Sequence, residues 1–143
     1  MYGQLTSCVK VGDGLTRYFE CNIGTKQGCV SSPIIFSLFI IDMLACGPGI
    51  YVTNDIDEVF AFMFADDVVS VAETVNNLLQ HIRHIENFCD ATGMSLNVDK
   101  SKVMVFRNGG PLRRYEKWYY KNSMLEVVPC YKYLDAYFTS KMC

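Results

Sequence analysis

Hydrophobic positions recur along the chain with two different periods, and the change of period predicts where helices and strands lie. Between Val75 and Cys89, apolar residues return at three- and four-residue steps, which is the spacing of one face of an α-helix. Glu73 and Thr74 provide a polar start for this helix, and Gly93 provides a residue that tolerates the left-handed backbone of a helix end. The pattern therefore predicts a long amphipathic helix that stops near Gly93.

A second helix is predicted from Pro33 to about Ala45. Ser32 can cap the free N–H groups of the first turn, proline is favoured at the first helical position, and Gly47-Pro48-Gly49 ends the helix. The apolar run from Ile34 to Cys46 is too short to cross a bilayer, so it predicts a helix buried in a protein core.

The remaining apolar runs are short, rich in β-branched and aromatic residues, and separated by polar turns. Gly12-Asp13-Gly14 separates the first two runs, which predicts a hairpin, and Ala65-Asp66-Asp67 joins a second pair. Helices among mostly antiparallel strands predict an α+β fold, an antiparallel sheet with helices packed on one face. The predicted strands are Thr6–Val11, Leu15–Ile23, Val59–Phe64, Val68–Ala72, Val103–Phe106, Glu116–Tyr120, Leu125–Val128 and Tyr131–Phe138.

Composition indicates a folded domain without a surplus of positive charge. The 143 residues are 50% hydrophobic and 20% charged, which is enough apolar surface for the core of one domain. The formal net charge of -2 argues against this chain gripping DNA or RNA alone, because such binding relies on basic residues. The 7 cysteines are dispersed, and no signal peptide or transmembrane segment is recognisable. We therefore expect an intracellular protein, nuclear or cytoplasmic, with reduced thiols and no membrane partner.

Asp66 and Asp67 are the residues most suggestive of chemistry. Adjacent carboxylates repel each other, and solvent exposure in a turn is the ordinary explanation for such a pair. Here the flanking runs are strongly apolar, and the turn contains neither Gly nor Asn. A divalent cation would offset the repulsion, since Mg²⁺ prefers oxygen ligands and often takes one or two carboxylates together with substrate phosphates. Neighbouring strand residues point to opposite faces, so one Asp would coordinate directly and the other less directly.

Three other polar or aromatic residues receive ordinary structural predictions. His81 and His84 are predicted to face solvent on the long helix, and we assign them no catalytic role. Trp118 is predicted to pack in the core or on a strand face, although base stacking is an alternative for an exposed aromatic residue.

Four segments, in a fixed order, resemble the motifs of one family. They are Gly24–Phe36, Phe64–Asp67, Gly93–Lys102 and Tyr131–Leu134. The first is similar to the Gly-x-x-Gln-Gly-x-x-x-Ser-Pro-x-x-Phe segment of reverse transcriptases, and the second resembles their aromatic-Ala-Asp-Asp box. The third resembles the segment after the family's palm helix, and the fourth resembles its primer-gripping hairpin. In amino-acid sequence, the segments are most similar to the non-LTR (LINE-type) retrotransposon branch of the family. The resemblance extends from Thr6 to about Lys141.

The resemblance implies a polymerase palm-like domain whose family activity is RNA-directed DNA polymerisation with two Mg²⁺ (or Mn²⁺) ions. It implies that Asp66 is a direct metal ligand and Asp67 a second one, and that RNA template, DNA primer and deoxynucleoside triphosphates are partners of the full-length enzyme. Implied contacts to the nucleotide or the template–primer are Gln27, Gly28, Ser32, Pro33, Phe64, Ala65, Lys100 and Lys102. The implied primer grip is Tyr131, Lys132, Tyr133 and Leu134, although inward packing against the palm is an equal alternative for the two tyrosines.

The chain departs from the family pattern at sites that bear on its activity. The family needs a further catalytic Asp from a strand well before the Gln-Gly segment, and Asp13, in a turn between glycines, does not fit that role. We therefore expect residues 1–143 to be a partial palm domain, without the upstream fingers and first catalytic strand or the downstream thumb, and inactive or nearly so alone. Asp135 stands where the family usually has Gly. The alternatives left open are the palm of a group II intron maturase-like polymerase and a non-catalytic remnant or partner-binding fold.

Overall fold

A computed structural model describes residues 6–21, 24, 28–44, 47–52, 58–107 and 110–140. The chain divides into two compact units, Met1–Leu38 and Phe39–Cys143. In the described residues the strands of both units are short and pair mostly antiparallel, and the two α-helices are long by comparison. The α+β class predicted from the order of elements is therefore observed.

The first unit contains the predicted hairpin around Gly12. The register of the hairpin shifts by one residue between its two strand pairs, because Ser7 pairs with Phe19 but Lys10 pairs with Leu15. One strand therefore carries an extra residue, as in a β-bulge. Gly12 opens the turn with a φ of 58°, a left-handed conformation that glycine adopts without strain. The strands are β1 (Thr6–Ser7), β2 (Lys10–Val11), β3 (Gly14–Leu15) and β4 (Phe19–Glu20).

Helix α1 (Ser32–Leu44) begins at Ser32, close to the predicted start, whereas the predicted end at Ala45 lies outside the described residues. The expectation of a buried helix is wrong for much of its surface. Ile40 and Met43 are buried, but Ile34, Ile35, Leu38, Phe39 and Ile41 are exposed. The segment is apolar around its whole circumference, so packing one side leaves other apolar side chains in solvent. No helix within the described ranges combines the length and apolarity needed to cross a membrane.

After the last residues of α1, the second unit continues with a hairpin and the long helix. Strand β5 (Ala61–Phe64) pairs antiparallel with β6 (Asp67–Ser70), and helix α2 covers Val75–Thr92. The hydroxyl of Thr74 caps α2 by accepting a hydrogen bond from the Asn77 N–H at 3.1 Å, and Gly93 ends it with a φ of 73°. The start and stop signals of the sequence are confirmed.

The rest of the second unit consists of paired short strands. Residues 131–138, predicted as one strand, form two strands separated by a turn at Leu134-Asp135. Within the described ranges, the named strands form two-stranded sheets and not one continuous sheet. The strands are β7 (Lys102–Val103), β8 (Tyr119–Tyr120), β9 (Ser123–Met124), β10 (Glu126–Val127), β11 (Cys130–Tyr133) and β12 (Ala136–Thr139), with β7 parallel to β10 and the pairs β8–β9 and β11–β12 antiparallel.

One apolar face of α2 forms the core together with these strands. Trp118 is only 2% exposed, which confirms the prediction that it packs inside. Burial raises the pKa of the nearby Tyr120 phenol, because the charged form would lose its hydration. The buried cluster consists of Ile82, Val103, Trp118, Tyr120 and Leu125.

The prediction that His81 faces solvent is wrong, because the structure buries its side chain completely. Burying an imidazole is unfavourable unless its polar atoms find partners, and both ring nitrogens do. Nδ1 lies 2.6 Å from the Ser70 hydroxyl, and Nε2 lies 3.1 Å from the Pro48 carbonyl oxygen. His84 is half-buried, with Nε2 3.0 Å from the Asp42 carbonyl oxygen, so it is not simply solvent-facing either.

Candidate active site

The two adjacent acids lie at a tight two-residue turn. Phe64 pairs with Asp67, so Ala65 and Asp66 form the turn and Asp67 is the first residue of β6. Of the two turn residues, Ala65 alone has a positive φ, 52°. A positive φ at the first central position is typical of a type II′ hairpin turn, where glycine is preferred. The backbone of the turn is therefore strained at Ala65, immediately before the acids.

Asp67 lies on the open face of the hairpin. Side chains alternate along each strand, so Ala61 and Met63 share one face while Phe62 and Phe64 share the other. Phe62 is 53% exposed and Phe64 is 63% exposed, and cross-strand pairing puts Asp67 opposite Phe64 on that solvent-facing side. Asp66, in the turn itself, is also exposed. Both carboxylates are thus accessible to a ligand from solvent.

The pair has the donor chemistry of a divalent-cation site. Neither carboxylate makes an ion pair or a side-chain hydrogen bond with the described residues, so their mutual repulsion is not offset within that part of the chain. The described ranges contain no group of three His, Cys, Asp or Glu side chains that could enclose a metal. Two hard oxygen donors suit Mg²⁺ or Mn²⁺ when substrate phosphates complete the coordination. The acid pair therefore fits such an ion as a partial ligand set.

The β11–β12 hairpin lies against the acidic turn. The Tyr133 hydroxyl is 3.4 Å from the backbone carbonyl oxygen of Asp67, a long hydrogen bond, and the Tyr131 hydroxyl donates to the Lys100 carbonyl at 3.2 Å. Residues two apart in a strand share a face, so one side of β11 holds both tyrosines toward these segments. Three of the four motif segments thus meet in the second unit.

The opposite face of β11 carries a basic side chain. Lys132 forms an ion pair with Asp135 at 2.7 Å, and its ammonium lies 5.9 Å from the centre of the Tyr137 ring. Leu134 and Asp135 form the turn with φ values of 45° and 63°. Positive φ at both central positions is typical of a type I′ turn, for which Asn-Gly is the favoured pair. A glycine at the position of Asp135 would adopt this positive φ without strain. Lys132 compensates the negative charge of the Asp135 side chain.

The two candidate lysines differ in their surroundings. The Lys102 ammonium is 2.7 Å from the Glu126 carboxylate, across the β7–β10 pair. Lys100 is exposed, and its ammonium makes no ion pair within the described ranges, while its backbone carbonyl accepts from Tyr131. Lys100 is therefore the better placed of the two to offer a positive charge to an anion.

The Gln-Gly segment belongs to the first unit, where Gln27 lies outside the described residues. Gly28 has a φ of 80°, and a Cβ built on it would touch nothing within 4 Å. Its backbone conformation, and not crowding, is what requires glycine there. Ser32 is buried and Pro33 is exposed at the start of α1.

Comparison with known proteins gives two matches of unequal extent. A family model described as reverse transcriptase (RNA-dependent DNA polymerase) matches residues 2–135. The retrovirus-related Pol polyprotein from type-1 retrotransposable element R2 of Popillia japonica is 33% identical over 111 residues, which cover 73% of this chain but 16% of that protein. The chain thus spans less than a fifth of that relative's length. No solved structure matches the chain significantly.

Proposed function

Because the chain belongs to the reverse transcriptase family, we propose that it carries part of the nucleotidyl-transfer site of an RNA-directed DNA polymerase from a non-LTR retrotransposon. On this proposal the second unit is palm-like, and Asp66 and Asp67 hold a divalent cation, Mg²⁺ or Mn²⁺. An RNA template, a DNA primer and deoxynucleoside triphosphates would be the partners of the complete enzyme.

The acidic turn is the observation that carries this proposal. Two exposed carboxylates follow a strained alanine at a tight turn, and the described residues supply neither with a counter-charge. Strain of this kind is found where the position of a side chain matters more than stability. The neighbouring β11–β12 hairpin, held to the Asp67 carbonyl by Tyr133, is where the primer strand would run.

The chain's own residues would act by placing charge. Asp66 and Asp67 would present oxygens on the open face, and Lys100 would attract the triphosphate from beside β11. Lys132, on the face of β11 away from Tyr131 and Tyr133, would offer its charge to the primer backbone only by leaving its ion pair with Asp135. A bound cation would supply activation of the primer 3′-hydroxyl and stabilisation of the charge that develops on the transferred phosphoryl group.

Metal binding can be tested on the purified 143-residue chain by Mn²⁺-induced broadening of backbone amide signals in NMR. We expect broadening to be strongest at residues 65–68, weakened by Asp66→Asn and abolished by the double change at Asp66 and Asp67. Asp135→Asn is the matched control, since Asp135 is also an exposed carboxylate in a hairpin turn. Broadening that persists in the double variant, or that is equal around Asp135, would contradict the assignment.

We also propose that this chain alone does not extend a primer. Its described residues offer two carboxylates and no third metal-ligating group beside them, whereas the family resemblance implies a further catalytic Asp. A primer-extension assay with an RNA template and Mg²⁺ or Mn²⁺ tests this directly. Extension that Asp66→Ala abolishes would refute the proposed inactivity while supporting the assignment of Asp66.

A further inference from the structure

A buried histidine connects the helix α2 to both sides of the hairpin that carries the acids. His81 has no exposed surface, and its ring nitrogens contact Ser70 Oγ at 2.6 Å and the Pro48 carbonyl oxygen at 3.1 Å. Ser70 is the last residue of β6, whose first residue is Asp67. Such a side chain is either an ordinary satisfied core histidine or a support for the acidic turn.

The contacts fix the tautomer of the neutral ring. The Pro48 carbonyl can only accept a hydrogen bond, so Nε2 of His81 carries the proton and donates. In the neutral ring Nδ1 then accepts from the Ser70 hydroxyl, and both partners are satisfied. Burial lowers the pKa of the His81 imidazole, which favours this neutral form, and the charged or titratable groups that act on it are Glu58 and His84.

The Pro48 contact reaches the other strand of the hairpin. Gly49 follows Pro48 and donates its N–H to the Glu58 carboxylate at 2.7 Å. Ile50 and Val59 then exchange two backbone hydrogen bonds, at 2.8 and 2.9 Å, immediately before β5 begins. One imidazole therefore ties α2 to β6 through Ser70 and to the segment beside β5 through Pro48.

We propose that His81 is a positioning residue for the Asp66–Asp67 turn, acting through Ser70 on β6 and through Pro48 on the segment that pairs ahead of β5. Ser70 shares a face with Val68, opposite to Asp67, so its link to α2 pulls the inner face of β6 inward and keeps Asp67 outward. This role rests on the proposed function only because it assumes that the turn binds a cation. The contacts of His81 with Ser70 and Pro48 do not depend on that assumption.

Two substitutions of His81 each keep one of its two hydrogen bonds and remove the other. Asn at position 81 can place an oxygen near the Nδ1 position and keep the Ser70 bond, whereas Gln can place an amide near Nε2 and keep the Pro48 bond. Ser70→Ala removes the β6 link without touching α2. His84→Gln is the matched control, because His84 lies on the same helix and also contacts a backbone carbonyl, that of Asp42.

The first readout is the amide spectrum of the turn and the ring signals of His81 in the full chain. We expect ring ¹⁵N shifts of the neutral Nε2–H form at pH 6.5, the ordinary histidine pKa. We expect the amides of Asp66 and Asp67 to shift in Ser70→Ala and His81→Gln, which lose the β6 link, and also in His81→Asn, which loses the Pro48 link. Unchanged turn amides in these variants, or equal shifts in His84→Gln, would overturn the positioning role.

The second readout is Mn²⁺ affinity, which a residue needed only for stability would not change in fully folded samples. We expect Ser70→Ala and His81→Gln to weaken Mn²⁺ binding about tenfold, as loss of a support behind a metal ligand commonly does. Unchanged affinity in both variants overturns the positioning role. If wild type itself binds no Mn²⁺, the proposed metal site fails, and the turn amides then decide the positioning role by themselves.

Discussion

Replacing Ala65 by Gly is expected to stabilise the second unit, although the same change at Ala61, in the same hairpin, is expected to destabilise it. The difference lies in the backbone. Ala65 has a φ of 52°, a region that is unfavourable for a residue with a Cβ, whereas Ala61 lies within β5 and has no positive φ. Glycine relieves strain at the first position and only loosens the chain at the second.

The magnitude follows from two opposing terms. A left-handed conformation costs an L-residue about 1–2 kcal/mol, a cost that the Ala65→Gly variant would not incur. The extra freedom of glycine in the unfolded chain costs about 0.4–1 kcal/mol. The net gain for Ala65→Gly is therefore about 1 kcal/mol, while Ala61→Gly loses roughly 0.5–1 kcal/mol because it has no strain to release.

Urea unfolding followed by tryptophan fluorescence measures both changes. Trp118 is the single tryptophan and is buried in the core of the unit that holds the hairpin. With an m-value of about 2 kcal/mol/M, Ala65→Gly should raise the unfolding midpoint by about 0.5 M and leave m unchanged. If both alanine-to-glycine changes lower the midpoint equally, Ala65 is not strained and the reasoning about the turn fails.

Two further substitutions test the backbone conformation at Asp135 and the space available for a Cβ at Gly49. Asp135→Gly is expected to raise the melting temperature by about 2 °C, because relief at φ 63° outweighs the extra freedom of glycine in the unfolded chain together with loss of an exposed ion pair to Lys132; a lower melting temperature would contradict this. Gly49→Ala is expected to destabilise by about 1–3 kcal/mol and to speed amide exchange at Val59, because its Cβ would overlap the Val59 carbonyl. Gly14→Ala, with ordinary contacts only, is the control for the second experiment, and equal effects of the two would count against the predicted clash.

Local signals were sufficient to predict the elements that depend on local chemistry. Helix α2 has a three- and four-residue apolar spacing, a Thr74 cap and a Gly93 stop, and the structure has all three. The acidic turn was predictable because Asp66 and Asp67 separate two apolar runs. The motif segments predicted a non-LTR reverse transcriptase, and the matches to the family and to the R2 element confirm that prediction.

Long-range contacts explain what the sequence did not reveal. His81 lies three residues after Leu78 and four before Ile85, so its spacing already placed it on the apolar face, although its polarity suggested solvent. Its burial depends on Ser70 and on Pro48, which is 33 residues away. No local pattern shows that such partners will meet, so helical spacing was the one available signal.

The turn at Leu134-Asp135 was missed for a different reason. Residues 131–138 are β-prone throughout, and Asp135 alone was a weak turn signal because neither turn residue is Gly or Asn. The resemblance to a primer-gripping hairpin was the other indication that the strand divides. The structure makes the turn nonetheless, with positive φ at both positions. Pairing of β11 with β12 over four residue pairs supplies the stabilisation that turn preference does not.

Two hairpins with unfavourable turns meet at one place in the second unit, and this has a physical consequence. Ala65 and Leu134 each hold a conformation that costs about 1–3 kcal/mol, so each turn persists only if the surrounding structure fixes it. Tyr133 supplies one such constraint by contacting the Asp67 carbonyl, and Ser70 supplies another through α2. Loosening either constraint would let the turn relax away from its strained geometry. On the proposed assignment, the direction of the acidic side chains would thus depend on residues other than the acids themselves.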